Sequence, residues 1–481
     1  MNFKMIFHIL GKVLYITAIL MLLPLIVAFI YGEKDTYIGF VVPILVLLSA
    51  GIPLEIFKPK NTLIFAKEGL TSVALAWIVT SLIGALPFYI SRYIPSFLDS
   101  VFETVSGFTT TGASILTDVE MMPYSLLFWR SFTHWIGGMG VLVFILAVIP
   151  KTDMSMMHLL RAEAPGPVIG KLVAKMRLSA RILYGIYVLL TVILIIFLVA
   201  GKMPFFDSVV TSFATAGTGG FGIKNNSIAF YDSAYIDIVL SIFMILFGVN
   251  FNIYYLMLLK NFKRAFKNDE LRWYLGIIII SVVAVAINIY SIYPNIMESL
   301  RHSFFQVSSI ITTTGFSTAD FDQWPMFSKT AILLLMVIGS SAGSTGGGMK
   351  VSRIVILFKS VRNSIKSMAN PRSVSSINLS GEIIDSKTEK GVLNYFALYM
   401  LIAVTSVVIL SFDQYDGITN ISAVLACLNN VGPGLRAAGP LGNYSGFSSV
   451  SKIILILNML IGRLEIYPVI VLFSPLTWKR R

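Results

Sequence analysis

A single cysteine, Cys427, stands in 481 residues, so an internal disulfide is excluded. Histidine is scarce as well. His8, His134, His158 and His302 are scattered, and no CxxC or HExxH spacing occurs, so transition-metal chemistry lacks its usual ligand clusters. No nucleophile–base constellation is present either, which sets an enzyme aside. Charge is the largest deficit. Only 13% of residues are Asp, Glu, Lys or Arg, against about 25% in soluble domains. A soluble fold of this length needs far more polar surface.

What is there is apolar: 56% of residues are hydrophobic and the mean hydropathy is +0.81. The runs 38–54, 182–200, 275–292 and 395–410 approach the ~20 residues that cross ~30 Å of hydrocarbon as helix. They show no period-two alternation, so helices rather than barrel strands are expected. The first run, 13–31, follows Lys4 and Lys12. It is too long for a signal peptide and lacks a small-x-small exit, so it reads as a retained helix. The class is a polytopic, all-α membrane protein.

Lys and Arg outnumber Asp and Glu, 37 to 24, for a net charge of +13. In so apolar a chain the excess reads as positive-inside topology, not as a nucleic-acid surface. Basic residues gather at Lys4 and Lys12, at 58–67, 151–181, 260–272 and 350–390, and in the Lys479-Arg480-Arg481 tail. These fall at every second connection. The connections between them carry Asp118, Glu120, Asp232, Asp237, Asp320, Asp322, Asp413 and Asp416. The pattern predicts basic loops and both termini in the cytoplasm.

Four of the acidic-side connections hold a small, glycine-centred tract. They read Gly107-Phe-Thr-Thr-Thr-Gly112-Ala-Ser, Thr215-Ala-Gly-Thr-Gly-Gly220-Phe-Gly, Ile311-Thr-Thr-Thr-Gly315-Phe-Ser-Thr and Leu428-Asn-Asn-Val-Gly432-Pro-Gly-Leu. Aligned on Gly112, Gly220, Gly315 and Gly432, they share an upstream feature. Thirteen residues before the glycine stand Asp99, Asp207, His302 and Thr419, followed by Ser100, Ser208, Ser303 and Asn420. Such residues cap helices, and the next eight or so are apolar and small. That predicts a short re-entrant helix of about two turns, too short to span. Each unit reads as spanning helix, short helix, glycine tract, spanning helix. The units are 70–150, 180–260, 272–359 with a Gly-rich stretch, and 391–475, behind a two-helix extension, 1–69. One such tract is an ordinary turn. Four with a common offset are a repeat, and irregular backbone at membrane depth belongs around a water-lined axis.

A cation entering such a tract must exchange its hydration shell for rings of backbone carbonyls. Glycine reaches the positive φ this needs at little steric cost. The candidate filter is Thr110, Thr111 and Gly112; Thr218, Gly219 and Gly220; Thr313, Thr314 and Gly315; Asn430, Val431 and Gly432. No ring of four carboxylates or of four cations accompanies them, so divalent-type and anion pores are disfavoured. The strands are unequal, which predicts cation selectivity with only pseudo-fourfold symmetry.

These tracts, with His134-Trp-Ile-Gly-Gly-Met-Gly140, Ala342-Gly-Ser-Thr-Gly-Gly-Gly-Met-Lys350 and Gly462-Arg463, resemble the Trk/Ktr/HKT superfamily of K⁺ transporters over nearly the whole chain. The N-terminal pair of helices makes the likeness greatest to its TrkH/TrkG membrane subunits. The resemblance implies K⁺ as the transported ion and a bacterial cytoplasmic (inner) membrane. It implies a homodimer and a TrkA-like cytosolic nucleotide-binding (RCK) ring as partner, docked on the basic stretch 350–390. Anionic lipid is the other reading of that charge. The resemblance also makes the tract around Gly343, Gly346, Gly347, Gly348 and Lys350 a gate below the filter, with close helix packing as the alternative. It places Arg463 beside that path. A mid-span charge is costly and usually functional; a local pair with Glu465 is the competing reading. Against a gated channel stands a K⁺ symporter driven by H⁺ or Na⁺, for which Glu103 and Glu465 are the candidate buried relays.

Overall fold

The computed structural model describes residues 1–56, 59, 65–140, 176–370 and 376–478. The end of the first unit, most of the 151–181 basic stretch and the basic tail lie outside these residues. Among the described residues, regular structure is helical except for one hairpin, Ile377–Leu379 paired antiparallel with Glu382–Ile384. Among the described residues, six helical stretches are long and apolar enough to cross a membrane, or seven if one pair bent by 89° counts as a span.

The N-terminal extension consists of α1 (Phe3–Leu20) running into α2 (Leu22–Tyr31), then α3 (Lys34–Ile56). It crosses at glycine. A Cβ on Gly11 would stand 2.9 Å from the Gly51 carbonyl oxygen, and one on Gly51 would stand 3.0 Å from that of Gly11. This is the small-residue contact that lets membrane helices approach closely.

Four units follow. The first contains α4 (Ala66–Gly84), α5 (Leu86–Ile90), α6 (Phe97–Phe108) and α7 (Tyr124–Gly138). The second contains α8 (Met176–Ala200), α9 (Phe205–Gly217), α10 (Ala234–Gly248) and α11 (Phe251–Leu258). The third contains α12 (Asp269–Ile289), α13 (Ile296–Ile311), α14 (Met326–Ile338) and α15 (Val351–Ala369). The fourth contains α16 (Ser386–Leu410), α17 (Gly417–Leu428), α18 (Ser449–Arg463) and α19 (Tyr467–Phe473). The first helices of the third and fourth units start ahead of their apolar runs because their first turns are polar and capped. Asn268 accepts the Leu271 amide and Asp385 the Thr388 amide.

The short helices α6, α9, α13 and α17 carry 12, 13, 16 and 12 residues. Their caps lie upstream of the residues expected from the sequence. Ser96, Asn295 and Asp416 accept the first-turn amides of α6, α13 and α17, and Pro204 precedes α9. Asp99, Asp207 and Thr419 thus sit inside the first turn, where Asp favours the helix dipole. His302 falls mid-helix because α13 begins about one turn earlier. The Thr419 amide and hydroxyl both donate to Asp416, which holds that carboxyl below its ordinary range.

A second difference concerns the closing helix of each unit. The sequence reading makes it a full span, broken only in the third unit by its Gly-rich stretch. Instead α7, α10, α14 and α18 stop after 15, 15, 13 and 15 residues, each about 20 Å or slightly more. α7, α10 and α18 halt at glycines packed against the short helices and their tracts, and α14 halts against the loop that follows it. Each short helix packs on the closing helix of the unit before it: α9 on α7, α13 on α10, α17 on α14, and α6 on α18. The ring is closed.

Several contacts tie the extension to this ring, among them the Asn2 amide donating to Glu68, the Thr36–Ser125 hydroxyl pair and the carboxylate of Glu33. α7 begins after Pro123, which offers no side-chain cap. Glu33 supplies it from the extension, accepting the Tyr124 amide at 2.6 Å and the Ser125 amide at 3.0 Å, while Tyr31 stacks on Tyr124. Glu33→Ala removes both bonds and is expected to cost ~1–2 kcal/mol, the usual worth of a lost cap. A fall in the melting temperature of the detergent-solubilised protein checks it; an unchanged temperature shows that the cap carries no weight.

Candidate functional site

All four short helices end in the same way. The amide of the first tract residue bonds back three residues: Thr110 to Gly107, Thr218 to Thr215 and Thr313 to Ile310 at 3.0 Å, and Asn430 to Cys427 at 3.3 Å. The next amide bonds back five: Thr111 to Ser106 at 2.9 Å, and Gly219 to Ala214, Thr314 to Ser309 and Val431 to Ala426 at 2.8 Å. This is the Schellman arrangement, which satisfies the last helical carbonyls. It requires a left-handed residue, usually glycine. Here the residues are Thr110, Thr218, Thr313 and Asn430, with φ of 54°, 55°, 60° and 55°. A β-branched residue held there costs about 1–2 kcal/mol, a strain that persists where its surroundings over-determine it.

Two residues on, Gly112, Gly220, Gly315 and Gly432 have φ of 82°, 73°, 85° and 98°. The residue between does not. Each strand therefore alternates in sign, and the strands meet. A Cβ on Gly112 would run into the Gly219 carbonyl oxygen, one on Gly220 into that of Thr314, and one on Gly315 into that of Val431. One on Gly432 would stand 2.6 Å from that of Thr111. Each glycine thus abuts the carbonyl of the residue before the next glycine, and the fourth closes on the first. Eight of the twelve residues singled out as a filter meet in this ring, and Thr110, Thr218, Thr313 and Asn430 form the left-handed turns that lead into it.

The strands are held from behind by different means. Thr109 and Thr111 share a hydroxyl bond of 2.8 Å, as do Thr312 and Thr314. Asn430 Nδ2 donates to Thr111 Oγ1 and to the Met459 carbonyl, both at 2.9 Å. The Tyr444 hydroxyl donates to the Gly432 carbonyl at 2.8 Å. Outside the second strand, buried Arg130 donates to Glu103 at 2.6 Å and to the Gly222 carbonyl at 2.7 Å. Glu103 also accepts the Ser114 hydroxyl and the Ile115 amide.

The stretch 339–350 interrupts the helix between α14 and α15. Gly339, Gly343 and Gly348 take positive φ. Gly346 and Gly347 serve close approach instead: a Cβ on Gly346 would stand 2.7 Å from the Thr312 carbonyl oxygen, and one on Gly347 would overlap that of Asn429. The loop is bonded directly to the tracts. The Gly347 amide donates to Thr313 Oγ1 at 2.6 Å and the Gly348 amide to the Asn429 carbonyl at 2.9 Å. On the opposite side it fills the break between α10 and α11, where Gly248 accepts the Ser341 amide and Phe247 the Thr345 hydroxyl. Lys350 Nζ donates to the loop's own Gly346 carbonyl.

Arg463 does not pair with Glu465. It donates to the Thr345 carbonyl at 2.7 Å, to Gly138 at 2.8 Å and to Gly137, joining the loop to the end of α7. Glu465 goes to Arg353 in a buried pair. The gate residues named from the sequence therefore lie together, touching parts of all four units. One anchor carried no signal in the sequence. Buried Glu270 accepts the Ala342 amide at 2.7 Å and the Ser352 amide at 3.2 Å, gripping the loop and the start of α15. In the sequence it is an ordinary acidic residue in a first turn. Among the described residues no group of three His, Cys, Asp or Glu side chains suits a metal ion.

A family model described as TrkH, cation transport protein, matches residues 41–479. The chain is 35% identical over 486 residues to the Trk system potassium uptake protein TrkH of Salmonella typhimurium, covering 100% of both. It is 32% identical over 480 residues to the TrkG protein of that name in Escherichia coli, covering 99% of both. The crystal structure of the potassium transporter TrkH from Vibrio parahaemolyticus superposes with a TM-score of 0.90 at 30% identity, covering 100% of both chains.

Glu270→Ala removes the acceptor of two loop amides. A lost bond to a charged group is worth about 1.5–3 kcal/mol, so hydrogen exchange in peptides covering 339–352 is expected to quicken by ~tenfold or more. Exchange unchanged from the parent protein shows that the loop is held without it.

Proposed function

The chain belongs to the TrkH family of cation transport proteins, and from that premise we propose that it takes up K⁺ through a channel-like pore. The filter in this reading is the ring at Gly112, Gly220, Gly315 and Gly432. One observation carries it: four strands of alternating handedness, each glycine against the next strand's carbonyl. Rings of backbone carbonyls replace a cation's hydration shell. The printed names of the relatives, potassium uptake proteins, support K⁺ as the cargo.

The loop 339–350 is the gate in this reading. Its amides occupy Thr313 Oγ1 and the Asn429 carbonyl, and Lys350 and Arg463 bring positive charge to the same place, which opposes a resident cation. Opening requires the loop to leave these acceptors. Arg463, bonded to both the loop and α7, links that motion to the first unit.

The symport alternative needs buried carboxylates free to take up and release protons. Glu103 is engaged by Arg130, Ser114 and Ile115, and Glu465 by Arg353. Neither carboxylate stands without a partner, so the channel-like reading is favoured. The setting proposed is the bacterial cytoplasmic membrane, both termini inside, with the chain as a homodimer. A TrkA-like nucleotide-binding ring docks on the 350–390 region, where α15 exposes Arg362 and Lys366 beside Phe358, Val361, Ile365 and Met368.

Rb⁺ entry into liposomes holding the purified protein, without a pH gradient, tests the proposal. Passive entry blocked by K⁺ and weakly by Na⁺ is expected; entry only under an imposed H⁺ or Na⁺ gradient favours the symporter. Gly315→Ser strains a backbone at φ 85° and is expected to lower K⁺ preference roughly tenfold. Deleting 344–347 is expected to raise flux, and flux that stays low returns the stretch to a packing role.

A further inference from the structure

The second strand is the one whose middle residue has no side chain. Thr111, Thr314 and Val431 hold that position in the others; the second has Gly219. Its φ lies outside the left-handed region, so nothing in the backbone demands glycine. The space decides it. The three atoms nearest a Cβ on Gly219 all belong to the imidazole of His134, and all three would be overlapped. Gly217 differs, since a Cβ there would strike the His134 backbone carbonyl.

Resting on the filter reading above, we propose that the His134 imidazole stands in for the missing side chain of residue 219 and sets the second strand's part in ion preference. His134 is fully buried, and the Ser106 backbone lies within reach of its ring. The flat ring fills the space that a side chain at residue 219 would occupy. The imidazole stacks on Phe221 at 4.2 Å, and Arg130, one turn earlier on α7, sets its guanidinium 3.5 Å from the centre of the same ring. Arg130 also holds the Gly222 carbonyl. One face of α7 thus backs residues 219 to 222. The first and third strands are braced by their own threonine hydroxyls; the second is braced from outside. His134 is a positioning residue in this account.

The experiment compares Rb⁺ influx in liposomes with K⁺ or Na⁺ competing, for the parent protein, H134A, G219T, H134A/G219T and G315S. H134A is expected to keep flux and lower the K⁺ over Na⁺ ratio by about tenfold. G219T alone drives a side chain into the imidazole and is expected to abolish K⁺-sensitive entry. The double variant gives the second strand the threonine of the first and third, and is expected to return the ratio to within about threefold of the parent, because residues in contact do not behave additively. An imidazole that is merely structural lowers yield and melting temperature without moving the ratio, and that result overturns the proposal. So does a double variant no better than the worse single one. If H134A is not recovered as monodisperse protein, H134N replaces it in the same comparison. A ratio that G315S moves and H134A does not overturns this inference alone. A ratio that G315S leaves unmoved overturns the filter reading and this inference with it.

Discussion

Everything at the centre of this protein depends on ending a helix inside a membrane. No water is available there for the last carbonyls, and an unmet polar group costs several kcal/mol. Four helices solve this with one bond pair, an amide reaching back three residues and the next reaching back five. That pair forces a left-handed residue, and the left-handed residue turns the chain so that a second positive φ two residues on brings glycine against the neighbouring strand. The ring of contacts is thus the continuation of four helix caps. Its closure follows from each short helix leaning on the preceding unit's last helix.

The same constraint explains where the buried charges went. Arg463, Lys350, Glu270 and Arg130 all bond backbone groups exposed where a helix stops or a tract begins. Arg353 bonds the Met349 carbonyl as well as Glu465. Backbone that leaves helical geometry at depth creates acceptors and donors, and charged side chains meet them with stronger bonds than neutral ones. The loop 339–350 is the extreme case, because its own amides and carbonyls serve as partners for the tracts.

The sequence displayed the ring better than its supports. Positive φ restricts residue choice, so the four glycines recur at one offset, and that offset measures a short helix of nearly fixed length. It misplaced the caps because Asp99, Asp207 and Thr419 are themselves good cap types; the true ends lie one turn earlier. The second unit's closing helix looked continuous because the break between α10 and α11, at Val249 and Asn250, has apolar residues on both sides. Glu33, Glu270 and His134 were illegible as supports for another reason. Their partners stand 91, 72 and about 85 residues away, and no local pattern reports where a side chain lands over such distances. The hairpin at 377–384 escaped notice because three-residue strands carry no periodicity.

Four strands on one polypeptide also differ from four copies of one strand in how they change. In an assembly of identical chains a single altered codon alters every quadrant at once. Here each quadrant is altered alone. The second strand has glycine where the other three carry a side chain, and the third unit carries a glycine-rich intramembrane loop. Linking the units covalently therefore turns an all-or-nothing site into one that selection adjusts a quarter at a time.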